Sequence, residues 1–380
     1  VSRQAAPGLE HDLLNQARLI VCVGTGGVGK TTTSAALALR AATLGRRTLV
    51  LTIDPAKRLA NAMGLADLGN EAKSVDLGSI ATATGSLDAM MLDAQRTFDD
   101  LIRRTAGPHA SRILENRVYR IMVDQFAGTQ EYMSLERLYD LYESNRWDLI
   151  VLDTPPSKNT LDFFESPRRA ASMFDEQVMK WFVPAKSGGG GGLFDRIFNP
   201  GAVVLKLLSV IGGEKFIAEL AEFFDAMRAV QSSFKMRGDK VHEILRAAGT
   251  RYVVVASPDP RRMAEAADFQ ARLTQMRKQV SMFVLNRSHD LFEPGDLEVL
   301  RRRAAATGLD ADRLTALDAL YTGLAALGDR DRAGIRQLSA RVSTIPIRTV
   351  PVLGHDIHTL EELLRLGASV FAGDEAVELV

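Results

Sequence analysis

Cysteine, net charge and long apolar runs are all scarce in this chain, and each scarcity excludes a class of protein. One cysteine, Cys22, in 380 residues leaves no intrachain disulfide and no cysteine-built zinc site. It lies in an apolar run, which makes it a small core residue. Lys plus Arg and Asp plus Glu stand at 47 each, so no overall field favours nucleic acid or an anionic membrane surface. Nucleic acid is therefore not an expected partner. No stretch approaches the roughly 20 apolar residues of a membrane span, and the first residues lack a basic segment followed by an apolar core. A cytoplasmic location is expected, with peripheral membrane association through a local surface as its one extension. The length suits one large α/β domain or two ordinary ones.

What the chain does have is a phosphate loop. Residues 24–31 are Gly-Thr-Gly-Gly-Val-Gly-Lys-Thr, which satisfies G-x-x-x-x-G-K-[ST] and follows the apolar run at 19–23. Strand, tight turn and helix are expected in that order. Glycines let the backbone turn sharply and bring its N–H groups within bonding distance of phosphate oxygens, where a Cβ would clash. Gly26, Gly27, Val28 and Gly29 would line the phosphates, and Lys30 would reach the β and γ groups. Thr31 would put its hydroxyl on Mg2+, with Thr32 beside it in a first helical turn whose dipole faces the same anion. The expected ligand is a nucleoside triphosphate.

Residues 1–17 are polar and expected to be mobile, giving way to a first strand at 18–23. The helix after the loop carries Leu37, Ala41 and Leu44 at helical spacing and stops at Gly45. A buried-strand pattern at 48–53 ends in Asp54-Pro55-Ala56-Lys57-Arg58. Ligands of an open parallel sheet sit beyond the carboxyl ends of its strands, so Asp54 arrives where the phosphates are. A helical stretch is expected over about 86–142, including the turn and helix start Gly128-Thr129-Gln130-Glu131-Tyr132. Another buried strand at 148–152 ends in Asp153-Thr154-Pro155-Pro156-Ser157. An acid ending a hydrophobic strand is the Walker B arrangement, in which the carboxylate holds the Mg2+ shell. An Asp there also serves as a plain helix cap, but two such acids on two strands of a phosphate-loop protein favour the metal role for Asp54 and Asp153.

The base is argued from what is missing. A guanine site needs an Asp two residues beyond the Lys of Asn-Lys-x-Asp or Thr-Lys-x-Asp, to accept the base's ring N–H and amino protons. Here the strand at 280–285 ends in Asn286-Arg287-Ser288-His289, without that Asp. ATP is favoured over GTP. Between the second acid and this strand, residues 163–245 are rich in large apolar side chains, among them Met173, Phe174, Met179, Trp181, Phe182, Phe194, Phe198, Phe216, Phe223, Phe224 and Met227. Pro184 and five glycines at 188–192 interrupt them, and the glycines suggest a flexible hinge. Such helices either form a groove for a hydrophobic client or pack into a core of their own, and the second is favoured. A charged helical stretch at 293–341 precedes a last strand at 347–353 and a helix at 360–371. His355 and His358 between them are left as surface residues, since no third ligand is near in sequence.

In combination, Gly-Thr-Gly-Gly-Val-Gly-Lys-Thr-Thr-Thr, Asp54-Pro55-Ala56, Asp153-Thr154-Pro155-Pro156 through Thr160-Leu161, and Asn286 resemble the ArsA family. That family includes arsenite-pump ATPases and targeting ATPases for tail-anchored membrane proteins. The resemblance runs in order from 18 to 371, and is closest to bacterial ArsA-like ATPases working as paired, non-identical subunits, which share Asp-Pro-Ala-Lys-Arg-Leu and Gly-Thr-Gln-Glu-Tyr. It implies an α/β fold, a mostly parallel doubly wound sheet of the SIMIBI-type P-loop NTPase class with an inserted α-helical subdomain. The single ATPase domain at 18–380 would have its core at about 18–85, 146–162, 250–290 and 345–380. The helical subdomain would take about 86–145 and 163–247, with a helical insertion at about 293–341.

The same resemblance implies dimerisation face to face over two ATPs, with hydrolysis moving two half-clamps. Asp54 would polarise the attacking water in switch I; Asp153, Thr154, Pro155 and Pro156 would begin switch II. Asn286, Pro351 and Val352 would contact adenine, and the cofactors would be ATP and Mg2+. A second ArsA-like subunit is the implied partner, a heterodimer ahead of a homodimer, with a hydrophobic or membrane-protein client. One departure is Thr25, where the family's usual motif has a lysine that reaches the partner's phosphates. Lys57, Arg58 or Lys158, each beside a switch, are candidate substitutes, as is a cation from the partner. Another is the lack of arsenite-binding cysteines and of a zinc-clamping Cys-x-x-Cys. The expected function is a dimeric ATP-hydrolysing switch; the alternatives are a nucleotide-locked structural subunit and an anion pump.

Overall fold

A computed structural model describes residues 8–53, 58–78, 80, 83–125, 129–155, 163–164, 200–289, 296–342, 344–353, 355 and 357–372. Two compact units emerge. The first comprises Val1–Met90, Trp147–Lys158 and Ala248–Val380; the second comprises Met91–Arg146 and Asn159–Ala247.

The first unit is built on an eight-stranded sheet of β1 (Leu19–Gly24), β2 (Arg47–Thr52), β3 (Lys73–Ser74), β4 (Ser86–Met91), β5 (Leu149–Asp153), β6 (Thr250–Ala256), β7 (Val280–Ser288) and β8 (Ile347–Pro351). Their spatial order is β3-β4-β2-β5-β1-β6-β7-β8. The pairs β2–β5, β5–β1, β1–β6, β6–β7 and β7–β8 are parallel, and β3–β4 is antiparallel. This is a mostly parallel α/β fold. Strands β1 and β5 are buried at every position, which is why each is a continuous apolar run rather than an alternating one.

Helices flank this sheet. Helix α1 (Lys30–Thr43) turns seven apolar side chains inward, but Leu44, expected on that stripe, is its exposed C-cap. Helix α2 (Arg58–Ala62) follows β2.

The segment expected to be mobile over 1–17 is docked from residue 8 onward. Residues His11–Gln16 form a short π-helix whose Leu13 and Leu14 are fully buried. Arg46 donates through Nη1 to the carbonyls of Leu14 (2.6 Å) and Ala17 (2.7 Å) and through Nη2 to that of Asp148. Ion pairs Arg40–Glu10 (2.6 Å) and Arg251–Asp12 (3.2 Å) add to it. Polar composition hid two leucines and two carbonyl acceptors.

A second correction concerns 86–142. Its first six residues are β4, and Lys73 and Ser74 pair with Ala89 and Asp88. Helix formers such as Leu87, Ala89 and Met90 are overridden because all three are fully buried on the sheet. Helices then follow in the second unit: α3 (Ala94–Thr105), α4 (Ala110–Leu114), α5 (Arg117–Gln125), α6 (Thr129–Glu143) and α7 (Pro200–Ile244), the last with non-helical backbone at Gly213. Their core joins Phe98, Leu101 and Ile102 of α3 to Tyr132 and Met133 of α6 and to Phe223, Met227, Val230 and Phe234 of α7. Phe223 and Met227 thus belong to a core. Met173, Phe174, Met179, Trp181, Phe182, Pro184, Phe194, Phe198 and the glycines at 188–192 lie outside the described residues.

A buried ionic cluster ties α6 to α7. Arg237 holds both Glu136 and Asp140, Arg104 reaches Asp140 at 2.7 Å, and the Arg237 guanidinium lies 4.5 Å from the centre of the Tyr139 ring. Glu136 is fully buried, which pushes its carboxyl above the usual range while Arg237 opposes the shift.

Returning to the first unit, α8 (Pro260–Gln275) follows β6, α9 (Asp296–Ala306) and α10 (Ala311–Val342) lie between β7 and β8, and α11 (Leu360–Phe371) closes the chain's described part. Helix α11 starts with a capping box between Thr359 and Glu362. His358 N–H and His355 Nδ1 also meet the Glu362 carboxylate, so both histidines serve this helix start. Among the described residues no helix is long and apolar enough to cross a membrane.

Candidate nucleotide site

The site lies where β1, β2 and β5 end together. Register pairs Cys22 with Asp153 and Thr52 with Asp153, so the acid closing β5 stands between the ends of two neighbouring strands. Its Oδ2 accepts from the Thr31 hydroxyl at 2.6 Å and from the Thr52 hydroxyl at 2.9 Å. Only 1% of Asp153 is exposed, so these donors keep a buried acid hydrogen-bonded. The N–H of Ile53 donates to the Asp153 carbonyl at 3.3 Å, which brings the chain to this acid immediately before Asp54. Asp54, Pro55, Ala56 and Lys57 lie outside the described residues, as do Pro156, Lys158, Thr160, Leu161 and Gly128.

The loop from β1 to α1 has the turn that its glycines allow. A Cβ on Gly24 would lie 2.0 Å from the Val255 carbonyl oxygen, so only glycine lets β1 pass β6 this closely. Gly29 caps α1 with φ +92°, a left-handed conformation, and its Cβ would lie 2.1 Å from Asn286 Nδ2. Lys30, 8% exposed, donates from Nζ to the Thr25 carbonyl at 3.0 Å, folding its ammonium back over the loop. Gly26 and Gly27 are exposed at the loop's crest, Val28 is buried beneath it, and Thr31 and Thr32 are half-buried on the first turn of α1. Backbone N–H groups at a helix start, a lysine and a hydroxyl beside a carboxylate are oxygen-anion and hard-cation chemistry. They fit a triphosphate with Mg2+.

Asn286 joins this group across 258 residues. Its Nδ2 donates to the Val28 carbonyl at 2.9 Å, and its Oδ1 accepts from the Arg287 N–H at 3.0 Å. Register sets Asn286 beside Val350 and Ser288 beside Pro351, and the Val352 N–H donates to the Ser288 carbonyl at 3.0 Å. The structure therefore gathers Asn286, Pro351 and Val352 at one end of β7 and β8, with Val352 exposed. His289 follows and binds the buried Asp331 of α10 through both its N–H (3.0 Å) and Nδ1 (2.8 Å). Thr154 and Pro155 also come to the site: the Thr154 hydroxyl donates to the Cys22 carbonyl at 2.8 Å. Cys22 itself is enclosed, and burial pushes its thiol up to about 12.

Two side chains at this site are not singled out from sequence. Thr52 had no signal beyond ending a strand. Arg262, on the first turn of α8, donates from Nη1 to the Gly26 carbonyl at 2.7 Å. A lone arginine 236 residues from the loop leaves no local pattern.

The family model for anion-transporting ATPases matches residues 17–303. Curated relatives include proteins named ATPase GET3: one from Malassezia globosa, 30% identical over 189 residues (49% of this chain, 52% of that protein). Another, from Paracoccidioides lutzii, is 30% identical over 193 residues (48% and 54%). A third, from Aspergillus niger, is 33% identical over 162 residues (41% and 46%). The chain spans about half the length of the curated relatives it matches.

Proposed function

The chain belongs to the ArsA family of ATPases, and from that footing we propose that it binds Mg-ATP, hydrolyses it and uses the cycle as a conformational switch. One observation carries the reading: Thr31 of the phosphate loop and the strand-end Asp153 meet at 2.6 Å, a hydroxyl and a carboxylate at the mouth of a positive loop. These two would hold Mg2+, which when bound neutralises charge on the β and γ phosphates. Lys30 moves from the Thr25 carbonyl to the phosphates. The loop's N–H groups bind the same oxygens, Asn286 with Pro351 and Val352 flanks adenine, and Asp54 orients the attacking water. Asp153 also connects the site to Thr154 and Pro155, so loss of the γ-phosphate is passed into the segment that leaves β5.

The client is hydrophobic or a membrane protein, the assembly pairs this chain with a second ArsA-like subunit, preferably a different one, and the setting is the cytoplasm. Support for the client comes from the family resemblance and the apolar composition of 163–245. Thr25 favours one second reading, a nucleotide-locked subunit that completes a partner's site and barely turns over. An arsenite-type pump is disfavoured, because the sole thiol is buried and protonated.

The test is a pair of substitutions. Lys30→Ala should abolish tight ATP binding by calorimetry, and Asp54→Asn should keep binding while phosphate release stops. Normal turnover by Asp54→Asn would remove Asp54 from its role, and absence of ATP binding by the unaltered chain would end the reading. ADP retained in a fresh preparation favours turnover; retained ATP favours the locked subunit.

A further inference from the structure

We infer that Arg262 is the cation that faces the γ-phosphate in this chain, supplied from α8 where the loop's second position has only Thr25. The inference rests on the ATP-hydrolysis reading above. Three observations lead to it.

Thr25 brings no charge to the loop, and its hydroxyl is buried with no hydrogen-bond partner among the described residues. Its carbonyl accepts from Lys30. The loop's crest therefore needs a positive group from elsewhere in the fold.

Arg262 is placed there by a rigid chain of contacts. Strand β6 runs beside β1 with Val255 opposite Gly24, so the segment leaving β6 emerges next to the loop leaving β1. Asp259 caps the helix that follows, accepting from the N–H groups of Arg261 (3.0 Å) and Arg262 (3.2 Å), with Pro260 in the first turn. That cap fixes the direction in which Arg262 leaves α8. Its guanidinium ends on the Gly26 carbonyl at 2.7 Å, one residue past Thr25.

Among the described residues the guanidinium is also not neutralised. Arg237, Arg251 and Arg330 each lie on a carboxylate, whereas Arg262 has no acidic partner among the described residues. One of its five N–H donors rests on an uncharged carbonyl, leaving the fork able to bond an oxyanion. A planar, permanently charged fork suits an equatorial phosphoryl oxygen better than a lysine does. Arginines presented to the γ-phosphate in the same chain or from a partner raise phosphoryl-transfer rates by roughly 1,000-fold or more. Because Arg262 is anchored on its own loop, it acts on the nucleotide held by the same chain. Lys57, Arg58 and Lys158 are then not needed as substitutes.

The test compares Arg262→Gln and Arg262→Lys with the unaltered chain, and with Asp54→Asn as the blank. Glutamine keeps a donor for the Gly26 carbonyl without the charge. Arg262→Gln should bind ADP within about twofold of the unaltered chain and melt at the same temperature, yet lose roughly 1,000-fold in turnover at saturating Mg-ATP. It should also fail to trap ADP with aluminium fluoride, a mimic of the transferring phosphoryl group. Arg262→Lys should recover part of both. Turnover by Arg262→Gln at the unaltered rate would overturn the inference while leaving the ATPase reading intact. An unaltered chain no faster than Asp54→Asn would overturn the ATPase reading and this inference with it. Restoration of turnover on mixing Arg262→Gln with Lys30→Ala chains would show that the arginine works across subunits, and would overturn the same-chain assignment.

Discussion

Replacing Gly29 by alanine tests whether Asn286 is held by the phosphate loop, and the size of the effect can be worked out beforehand. Two costs combine. Gly29 sits at φ +92°, where a side chain costs about 1–2 kcal/mol. The new Cβ would also lie 2.1 Å from Asn286 Nδ2 and 3.3 Å from Cγ, so the amide must swing away and lose its 2.9 Å bond to Val28, about 1 kcal/mol. Gly29→Ala should therefore destabilise by about 2–3 kcal/mol, and Asn286→Ala by about 1 kcal/mol through the same lost bond. In the double variant the bond is lost only once. Its cost should again be about 2–3 kcal/mol, leaving a coupling of about −1 kcal/mol between two positions 257 residues apart.

Urea unfolding followed by tryptophan fluorescence provides the assay. The chain has two tryptophans, and Trp147, buried with its indole N–H on Asp88 at 2.8 Å, reports on the sheet unit. Removing Trp181, which lies outside the described residues, by Trp181→Phe isolates that signal. Additivity of the two substitutions within about 0.3–0.5 kcal/mol would refute the reasoning, because it would mean that the amide and the loop do not share a contact.

Arg237→Ala should destabilise the helical unit by about 3–5 kcal/mol in circular-dichroism unfolding, since it strands the fully buried Glu136, and adding Glu136→Gln should recover part of the loss. The Cys22 thiol should resist N-ethylmaleimide in the native protein at pH 8, where a pKa near 12 leaves roughly one thiolate in ten thousand, and label promptly once unfolded; prompt native labelling would contradict its burial. Folding raises that thiol from an ordinary 9.0, so its contribution to stability is whole below pH 9.0 and lost as pH climbs toward 12, measurable as a falling alkaline melting temperature.

The parts of the fold legible in the sequence are those written in neighbouring residues. The phosphate loop, the run ending in Asp153 and the helix Leu360–Phe371 each carry their own pattern, a motif, a buried strand or a capped apolar stripe. Strand β4 was not legible: Ser-Leu-Asp-Ala-Met-Met favours a helix by intrinsic preference, and only the sheet beside it decides otherwise. Nor was the docking of residues 8–17, which depends on Arg46, an arginine some 30 residues further on. Within the site, Lys30, Thr31 and Asp153 announce themselves by type and spacing. Arg262 and Thr52 do not, because each is recruited by a fold contact with no local counterpart.

The order of strands has a consequence for how the chain is made. Strand β1 is the first of the eight strands to be made, but the neighbours that cover its two sides are β5, at Leu149–Asp153, and β6, at Thr250–Ala256. At a synthesis rate of about 5–20 residues per second, the second of these arrives roughly ten to fifty seconds after the first strand. Through that interval Leu-Ile-Val-Cys-Val-Gly is an uncovered, aggregation-prone edge. A nascent chain should therefore need holdase protection until residue 256 has been translated, and fragments ending before it should accumulate as aggregates rather than as smaller folded proteins.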